Sequence, residues 1–362
     1  AVRPVELAGI DGTALVGRVP GGGTDTDAPS RFGKALFAAA REAVADAEAT
    51  GWVPGRRVGL VMSTTLGEIE LRRALYFEFG GRTRSRTYLS VIPSTSPSML
   101  LGALRFTGGP ALNVQAACAG FNTALLLGKM FLDNDMADDV LVVGCDFPNT
   151  GEDVWHFAQM RAGVTTGDPF DVCRPFQVGT RGFVTGEGVG AVILTRQATG
   201  RSYGQLLGGA MNHDPYHPIG INPDHDPIFG VYQAALDDAG VAGGAVDYFN
   251  THGAGTGQGD AVEIAVLNRF LPNAHLFSIK PLTGHAHGAA GIVELSATLL
   301  AYHGGRLAVA PRVADVHPDL TRSGRAEDLI NGVHRYDGGV TVKGSMGMGG
   351  YNAVIVVRQP RT

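Results

Sequence analysis

Four side chains able to do nucleophilic or acid–base chemistry, Cys118, His252, Lys280 and His285, stand in this sequence where extended runs give way to glycine-rich turns, and a carboxylate, Glu294, follows on a helix-like segment. Cys118 follows the extended run Ala111 to Val114 and precedes a helix-like apolar segment that continues to Gly128. That order predicts a strand-to-helix turn with the sulfur near the amino end of the helix. There, unpaired backbone N–H groups and the positive end of the helix dipole favour a thiolate. A lowered thiol pKa makes a cysteine a nucleophile. A lone cysteine is otherwise a small core residue. Here Ala116, Ala117, Ala119 and Gly120 surround it with small side chains, as close access by a substrate requires.

The histidines come from two later units. Asn250-Thr-His252-Gly-Ala-Gly-Thr256-Gly-Gln-Gly-Asp260-Ala-Val-Glu263 reads as a strand end, a glycine loop and a helix start. Strand ends are where working side chains gather in parallel sheets. Asp260 and Glu263 have capping-box spacing, which predicts that the helix braces the loop. Ser278-Ile-Lys280-Pro-Leu-Thr-Gly-His285-Ala-His-Gly-Ala-Ala-Gly-Ile-Val-Glu294 reads as a strand, a lysine, a glycine-flanked histidine and a small-residue helix bearing a carboxylate. Gly284, Gly288 and Gly291 allow close backbone approach, so His285 is expected to be buried. Val342 to Asn352 reads as a flexible glycine loop between two strands. A cysteine, two histidines and a lysine at loop edges make a nucleophilic site.

The elements that must position these groups follow from periodicity. Phe32, Leu36, Ala40, Val44 and Ala47 share one side of a helix over Arg31 to Ala49. Val58 to Ser63 is a short apolar strand, Glu68 to Phe77 a helix, and a further helix starts in the Pro93-Ser-Thr-Ser-Pro stretch. Asp139-Val-Leu-Val-Val-Gly-Cys-Asp predicts a strand buried on both faces, which makes Cys145 core packing; Cys173, in a loop, is assigned the same way. Gly186 to Leu194 is a glycine-rich turn entering a strand; a phosphate loop needs a helix there, so that reading fails. Residues 1 to 30 are rich in Gly, Pro, Asp and Thr, with Gly21 to Pro29 reading as an exposed loop; Tyr203 to Met211 reads as strand, Asn212 to Phe229 as a polar loop, and Val231 to Ala239 as helix. His213 and His217 are four apart, but Pro215 and Pro218 argue against a helix that would turn them into metal ligands. No metal site is expected.

Composition bounds the rest. The 362 residues are 44% hydrophobic and 17% charged, with 53 glycines, as in a compact α/β protein with a large core. A net charge of -5 offers no basic footprint for nucleic acid or an anionic membrane. There is no apolar run of membrane-spanning length and the start does not read as a signal peptide. Three cysteines cannot all pair and lack metal-ligand spacing, so free thiols in a reducing cytoplasm are expected.

Taken in order, the motifs resemble the β-ketoacyl-acyl carrier protein synthases, condensing enzymes of the thiolase fold. The likeness runs over residues 30 to 358: Ala117-Cys118-Ala-Gly, Arg174-Pro-Phe, Arg181-Gly-Phe-Val-Thr-Gly-Glu-Gly, Asp214-Pro-Tyr-His, Thr251-His252-Gly, Lys280 to Glu294, and Ser345 to Asn352. It implies two related α/β halves in an αβαβα arrangement, 1–195 holding the cysteine and 196–362 the histidine motifs. It implies that Cys118 carries the acyl chain as a thioester. His252 and His285 then assist decarboxylation of a malonyl extender, Lys280 and Glu294 organise them, and the Cys118 and Met348 N–H groups form an oxyanion hole. Met348, Met346, Thr256, His217, Ile219 and Phe183 are the implied substrate contacts. Partners are an acyl carrier protein and a second subunit, either identical or a paralogue. No cofactor is implied beyond the phosphopantetheine that carries the substrates.

The departures are informative. Ala116 to Phe121 is similar to the CoA-primed synthases, but two histidine motifs place the chain with the elongating type. Met346 and Met348 replace two loop phenylalanines, Met348 at the gatekeeping position, where a flexible thioether fits a differently shaped chain. Ala254 replaces a pantetheine-contacting threonine, leaving Thr256. These changes point to polyketide or other specialised biosynthesis. Three readings compete. A thiolase needs a second active cysteine in the last glycine loop, and none is there. A silent chain-length partner subunit lacks the nucleophile. An acyltransferase uses the same thioester to make an ester or amide.

Overall fold

The computed structural model describes residues 1–20, 28, 30–80, 82, 84–197 and 201–360. The expected loop at 21–29 lies outside these residues except for Ala28. Thirteen strands can be traced among them: β1 (Val2–Glu6), β2 (Thr13–Gly17), β3 (Val58–Ser63), β4 (Gly108–Val114), β5 (Asp139–Asp146), β6 (Gly188–Thr195), β7 (Gln205–His213), β8 (Tyr248–Asn250), β9 (His275–Phe277), β10 (Arg306–Ala308), β11 (Val333–Arg335), β12 (Val340–Gly347) and β13 (Tyr351–Arg358). β1 and β2 pair as an antiparallel hairpin ahead of the expected loop.

Two sheets carry the site. The first has order β4-β3-β5-β6 and the second β7-β13-β12-β8-β9. In each, parallel strands feed helices, and the antiparallel strands β6, β13 and β7 complete the sheet. Every residue of β5 is buried. Its unbroken apolar run fits a strand covered by the Arg31–Ala49 helix on one face and the Gly120–Asp133 helix on the other. The Gly120–Asp133 and Ala290–Gly304 helices lie between the two sheets, and the Asp226–Ala239 helix covers β7 and β13 from outside. Five αβαβα layers result, with the largest apolar cluster in the middle, around Phe121, Leu125, Val142, Phe277, Ile292 and Ile355.

Local chemistry explains the helix ends. Ser30 caps the Arg31–Ala49 helix by accepting the Gly33 N–H at 2.9 Å. Phe32, Leu36 and Ala40 are buried as the spacing required, and Val44 and Ala47 half-buried. The Asp226–Ala239 helix begins five residues before the expected Val231, because Pro227 sits in its first turn, where the missing N–H costs nothing.

A pair of matching turns stands at the centre. A 3₁₀ turn, Ala117–Ala119, leads into the Gly120–Asp133 helix, and another, His287–Ala289, leads into the Ala290–Gly304 helix. Ala117 and His287 hold positive φ values of 45° and 44°. The two turns pack against one another.

Candidate active site

Cys118 sits in the first of these turns, 7% exposed, with its Sγ 3.0 Å from Nε2 of His285. The position agrees with the sequence; the electrostatics correct it. Burial pushes the thiol up to about 12, outweighing the lowering effects of Lys280 and of the Met348 N–H, which reaches the sulfur. Helix-end dipoles act over the first turn, whereas desolvation penalises a thiolate wherever water is excluded. The resting group is a thiol.

His285 comes from the loop between Thr283 and the second 3₁₀ turn, tied by backbone bonds to Val184 and Gly186. His252 follows β8. Their rings meet edge to face, centroids 5.3 Å apart. Burial holds both imidazoles well below their usual range, and the positive charge of Lys280 pushes the same way. Both are neutral at physiological pH.

Lys280 acts on His252 through the backbone: its Nζ donates to the His252 carbonyl and to Glu294 Oε1. Glu294 also faces Lys343, whose Nζ lies 2.7 Å from Oε2. All three are at most 2% exposed. Lys343 carries no signal in the linear sequence; β12 brings it beside β8, where its Nζ reaches the Thr251 carbonyl at 3.4 Å.

The capping-box expectation is corrected here. The helix starts at Gly257, with Thr256 as its cap residue, so Asp260 and Glu263 lie inside it. Glu263 instead accepts the His252 and Gly253 N–H groups, and Asp260 accepts the Phe176 N–H at 2.7 Å. The helix braces the loop through its carboxylates, at longer range than a cap.

The glycine stretch after β12 is a tight turn where a flexible loop was expected. Gly349 and Gly350 hold φ of 85° and 82°. The Gly349 N–H donates to Pro218, and Asp214 donates to Gly350, tying this turn to the 212–229 segment. A Cβ on Gly347 would stand 2.9 Å from the Ala116 carbonyl and 3.2 Å from the Cys118 nitrogen. Only glycine lets the turn bring Met348 this close to the nucleophile.

These parts surround a cavity of about 450 Å³, lined among others by Cys118, His252, His285, Phe183, Thr256, Met346 and Met348. Phe183 also presses its edge on His285, centroids 4.8 Å apart. His217 and Ile219 line the outer part, His217 using its Nδ1 to accept the Ile219 and Gly220 N–H groups. The size suits a small-molecule site. Lys280 and Glu294 lie behind His252, outside the cavity lining.

Two residues beyond those read from sequence complete the surroundings. Asp146, at the end of β5, accepts N–H groups from Thr65, Leu66, Gly67 and Gly288, joining the two halves beside Cys118. His287, 2% exposed, stacks on His285 with centroids 4.8 Å apart, and Phe157 packs on its other side at 4.6 Å. Cys145 and Cys173 are buried in apolar clusters.

Five layers with a buried Cys-His-His group define a thiolase-fold ketosynthase. The chain belongs to the beta-ketoacyl synthase family: residues 24–200 match its N-terminal domain and residues 203–313 its C-terminal domain. It is 30% identical over 342 residues to the 3-oxoacyl-[acyl-carrier-protein] synthase 2 of Staphylococcus aureus strain COL, covering 91% of this chain and 82% of that one. Among solved structures, the ishigamide ketosynthase/chain length factor aligns with a TM-score of 0.84 at 24% identity, over 99% of this chain and 92% of the other. The ketosynthase ApeO in complex with its chain length factor ApeC from Xenorhabdus doucetiae gives 0.82 at 21%, over 99% and 90%. The chain is therefore a ketosynthase-family enzyme, a transferase. Among the described residues no helix is long and apolar enough to cross a membrane.

Proposed function

We propose that this enzyme performs decarboxylative Claisen condensation of a Cys118-bound acyl group with a malonyl thioester on an acyl carrier protein. The observation that carries the reading is the 3.0 Å contact between Cys118 Sγ and His285 Nε2, with His252 beside them, in one cavity. The Cys118 sulfur attacks the incoming acyl thioester as its proton passes through His285 to the departing carrier thiolate. Loss of CO₂ from the malonyl group then leaves an enolate, whose oxygen needs hydrogen-bond donors; neutral His252 and His285 supply them. The enolate carbon attacks the Cys118 thioester, and the Cys118 and Met348 N–H groups hold the oxyanion until the thiolate leaves and is reprotonated. Lys280, held by Glu294, positions His252, and burial together with the Lys280 charge keeps both imidazoles neutral.

Phe183, Met346 and Met348 shape the acyl end of the cavity, and Thr256, His217 and Ile219 the pantetheine arm. We place the division between halves in the connection from Thr195 to Gln205. Relatives named as ketosynthase and chain length factor pairs favour a polyketide setting and a heterodimer with a paralogue over a homodimer. The negative net charge and free thiols fit a cytoplasmic enzyme with no nucleic-acid or membrane partner.

The test is intact-mass analysis of wild type and Cys118→Ala with acyl-carrier protein donors, then malonyl-carrier protein. A wild-type adduct, absent from Cys118→Ala, that clears to a ketoacyl product supports condensation. Clearance only with an alcohol or amine would make the enzyme an ester- or amide-forming acyltransferase. No adduct, alone or with a paralogous subunit, would assign the chain as a silent partner.

A further inference from the structure

His287 has no part in the condensation just described, yet it is a buried imidazole beside the nucleophile. Cys118, His285 and His287 each offer a donor atom, and the three atoms lie within 4.8 Å of one another. All three residues are more than nine-tenths buried. His287 Nε2 and His285 Nδ1 have no hydrogen-bond partner, so neither ring is fully committed elsewhere. One sulfur and two imidazole nitrogens form the donor set that suits zinc, a borderline-soft ion.

We propose that Cys118, His285 and His287 bind a zinc-class divalent cation reversibly, and that the bound ion silences the nucleophile. Zinc–sulfur bonds of about 2.3 Å and zinc–nitrogen bonds of about 2.0–2.1 Å set tetrahedral donor separations near 3.5 Å. The 3.0 Å contact must open slightly and the widest separation close by roughly an ångström. Three protein ligands leave a fourth position for water, and the cavity lined by Cys118 and His285 is the way in. Binding converts the thiol to a metal thiolate and releases its proton to solvent. A sulfur bound to zinc cannot attack a thioester. The inference needs only a reactive thiol at Cys118 and is independent of which acceptor the acyl group meets.

The experiment uses the full chain freed of metal by chelator dialysis. ZnCl₂ is titrated while iodoacetamide labelling of Cys118 is followed by intact mass and peptide mapping, and Co²⁺ is titrated in parallel. Saturable protection of Cys118 that EDTA reverses is expected, with a sulfur-to-cobalt charge-transfer band that Cys118→Ala lacks. His287→Phe keeps the stack on His285 but removes the donor. It should label like wild type without metal and need at least about tenfold more zinc for protection, the scale lost when even an outer partner of a ligand goes. Unchanged labelling of wild type with zinc would overturn the proposal, even if the variant fails to fold. So would equal protection of a folded His287→Phe.

Discussion

The Cys118 thiol faces a His285 imidazole that carries no charge: the two are 3.0 Å apart, and burial opposes ionisation of both. The pair is neutral at rest, unlike the thiolate–imidazolium pairs of low-pKa cysteines. With the thiol pushed up to about 12, thiolate becomes more abundant as pH rises. Iodoacetamide labelling of Cys118 should therefore climb about tenfold per unit between roughly pH 6 and 9. A rate that is flat across that range would show a preformed ion pair.

Glu294 answers two buried ammonium groups, Lys280 and Lys343. Glu294→Gln removes the carboxylate directly paired with both and should cost about 3–5 kcal/mol, the usual penalty for breaking a buried pair from one side. Lys343→Met leaves the Lys280–Glu294 pair intact and should cost clearly less. Urea denaturation gives the order, and equal losses would mean that Glu294 does not serve both lysines.

Asp260 gives a pH dependence whose sign follows from its burial. Burial raises its carboxyl to about 8, although the Phe176 and Gly255 N–H groups work against this. The unfolded chain, ionising near 3.8, loses this proton first as pH rises. Asp260's contribution to stability is therefore complete below about 3.8, falls as pH climbs toward about 8, and is flat beyond, with a slope of at most about 1.4 kcal/mol per pH unit. Asp260→Asn cannot ionise and keeps an acceptor for Phe176. Measured against wild type in urea, its relative stability should improve from pH 5 to pH 8. A constant difference between the two proteins would refute the assignment.

In the proposed reaction the turn carrying Met348 would set both oxyanion geometry and acyl fit. Gly347→Ala puts a methyl against the Ala116 carbonyl and the Cys118 nitrogen. Single-turnover acylation should fall by about 10²–10³, the scale of losing an oxyanion donor. Met348→Phe keeps the backbone donor and exchanges a flexible lining for a rigid one, so the acyl-length preference should shift. An unchanged profile across chain lengths would remove Met348 as a gate.

Much of this arrangement is legible in the chain because its key groups sit at strand ends. Cys118, His252, Lys280, His285 and Glu294 each follow or face a recognisable strand–glycine–helix unit, and the motifs in order identify the family. What stayed hidden depends on tertiary neighbours. Lys343 is one residue in an apolar strand until β12 pairs with β8. Asp146 closes a strand, and nothing local says that four N–H groups will converge on it. His287 lies two residues from His285, and their stacking depends on the positive φ that follows Ala286. Asp260 and Glu263 matched a capping pattern, but the helix began earlier, so their carboxylates turned to other strands and loops. The raised thiol pKa escapes the sequence for a similar reason: a helix end is visible there, and the loss of water around it is not.

The paired 3₁₀ turns carry a last consequence. Ala117 and His287 occupy the same unusual conformation, and the helices that follow begin at Gly120 and Ala290 with the same φ of -56° and ψ of -44°. Cys118 and Gly288 are thus counterparts in a duplicated elbow whose copies have divided their labour. One copy holds a reactive atom. The other has given up its side chain, because a Cβ there would stand 2.8 Å from the Thr65 nitrogen, and its bare N–H docks on Asp146. The second elbow works as the keystone that holds the first in place, so a mirror-image nucleophile at Gly288 is closed to this fold: the contact that would have to open is the one joining the halves.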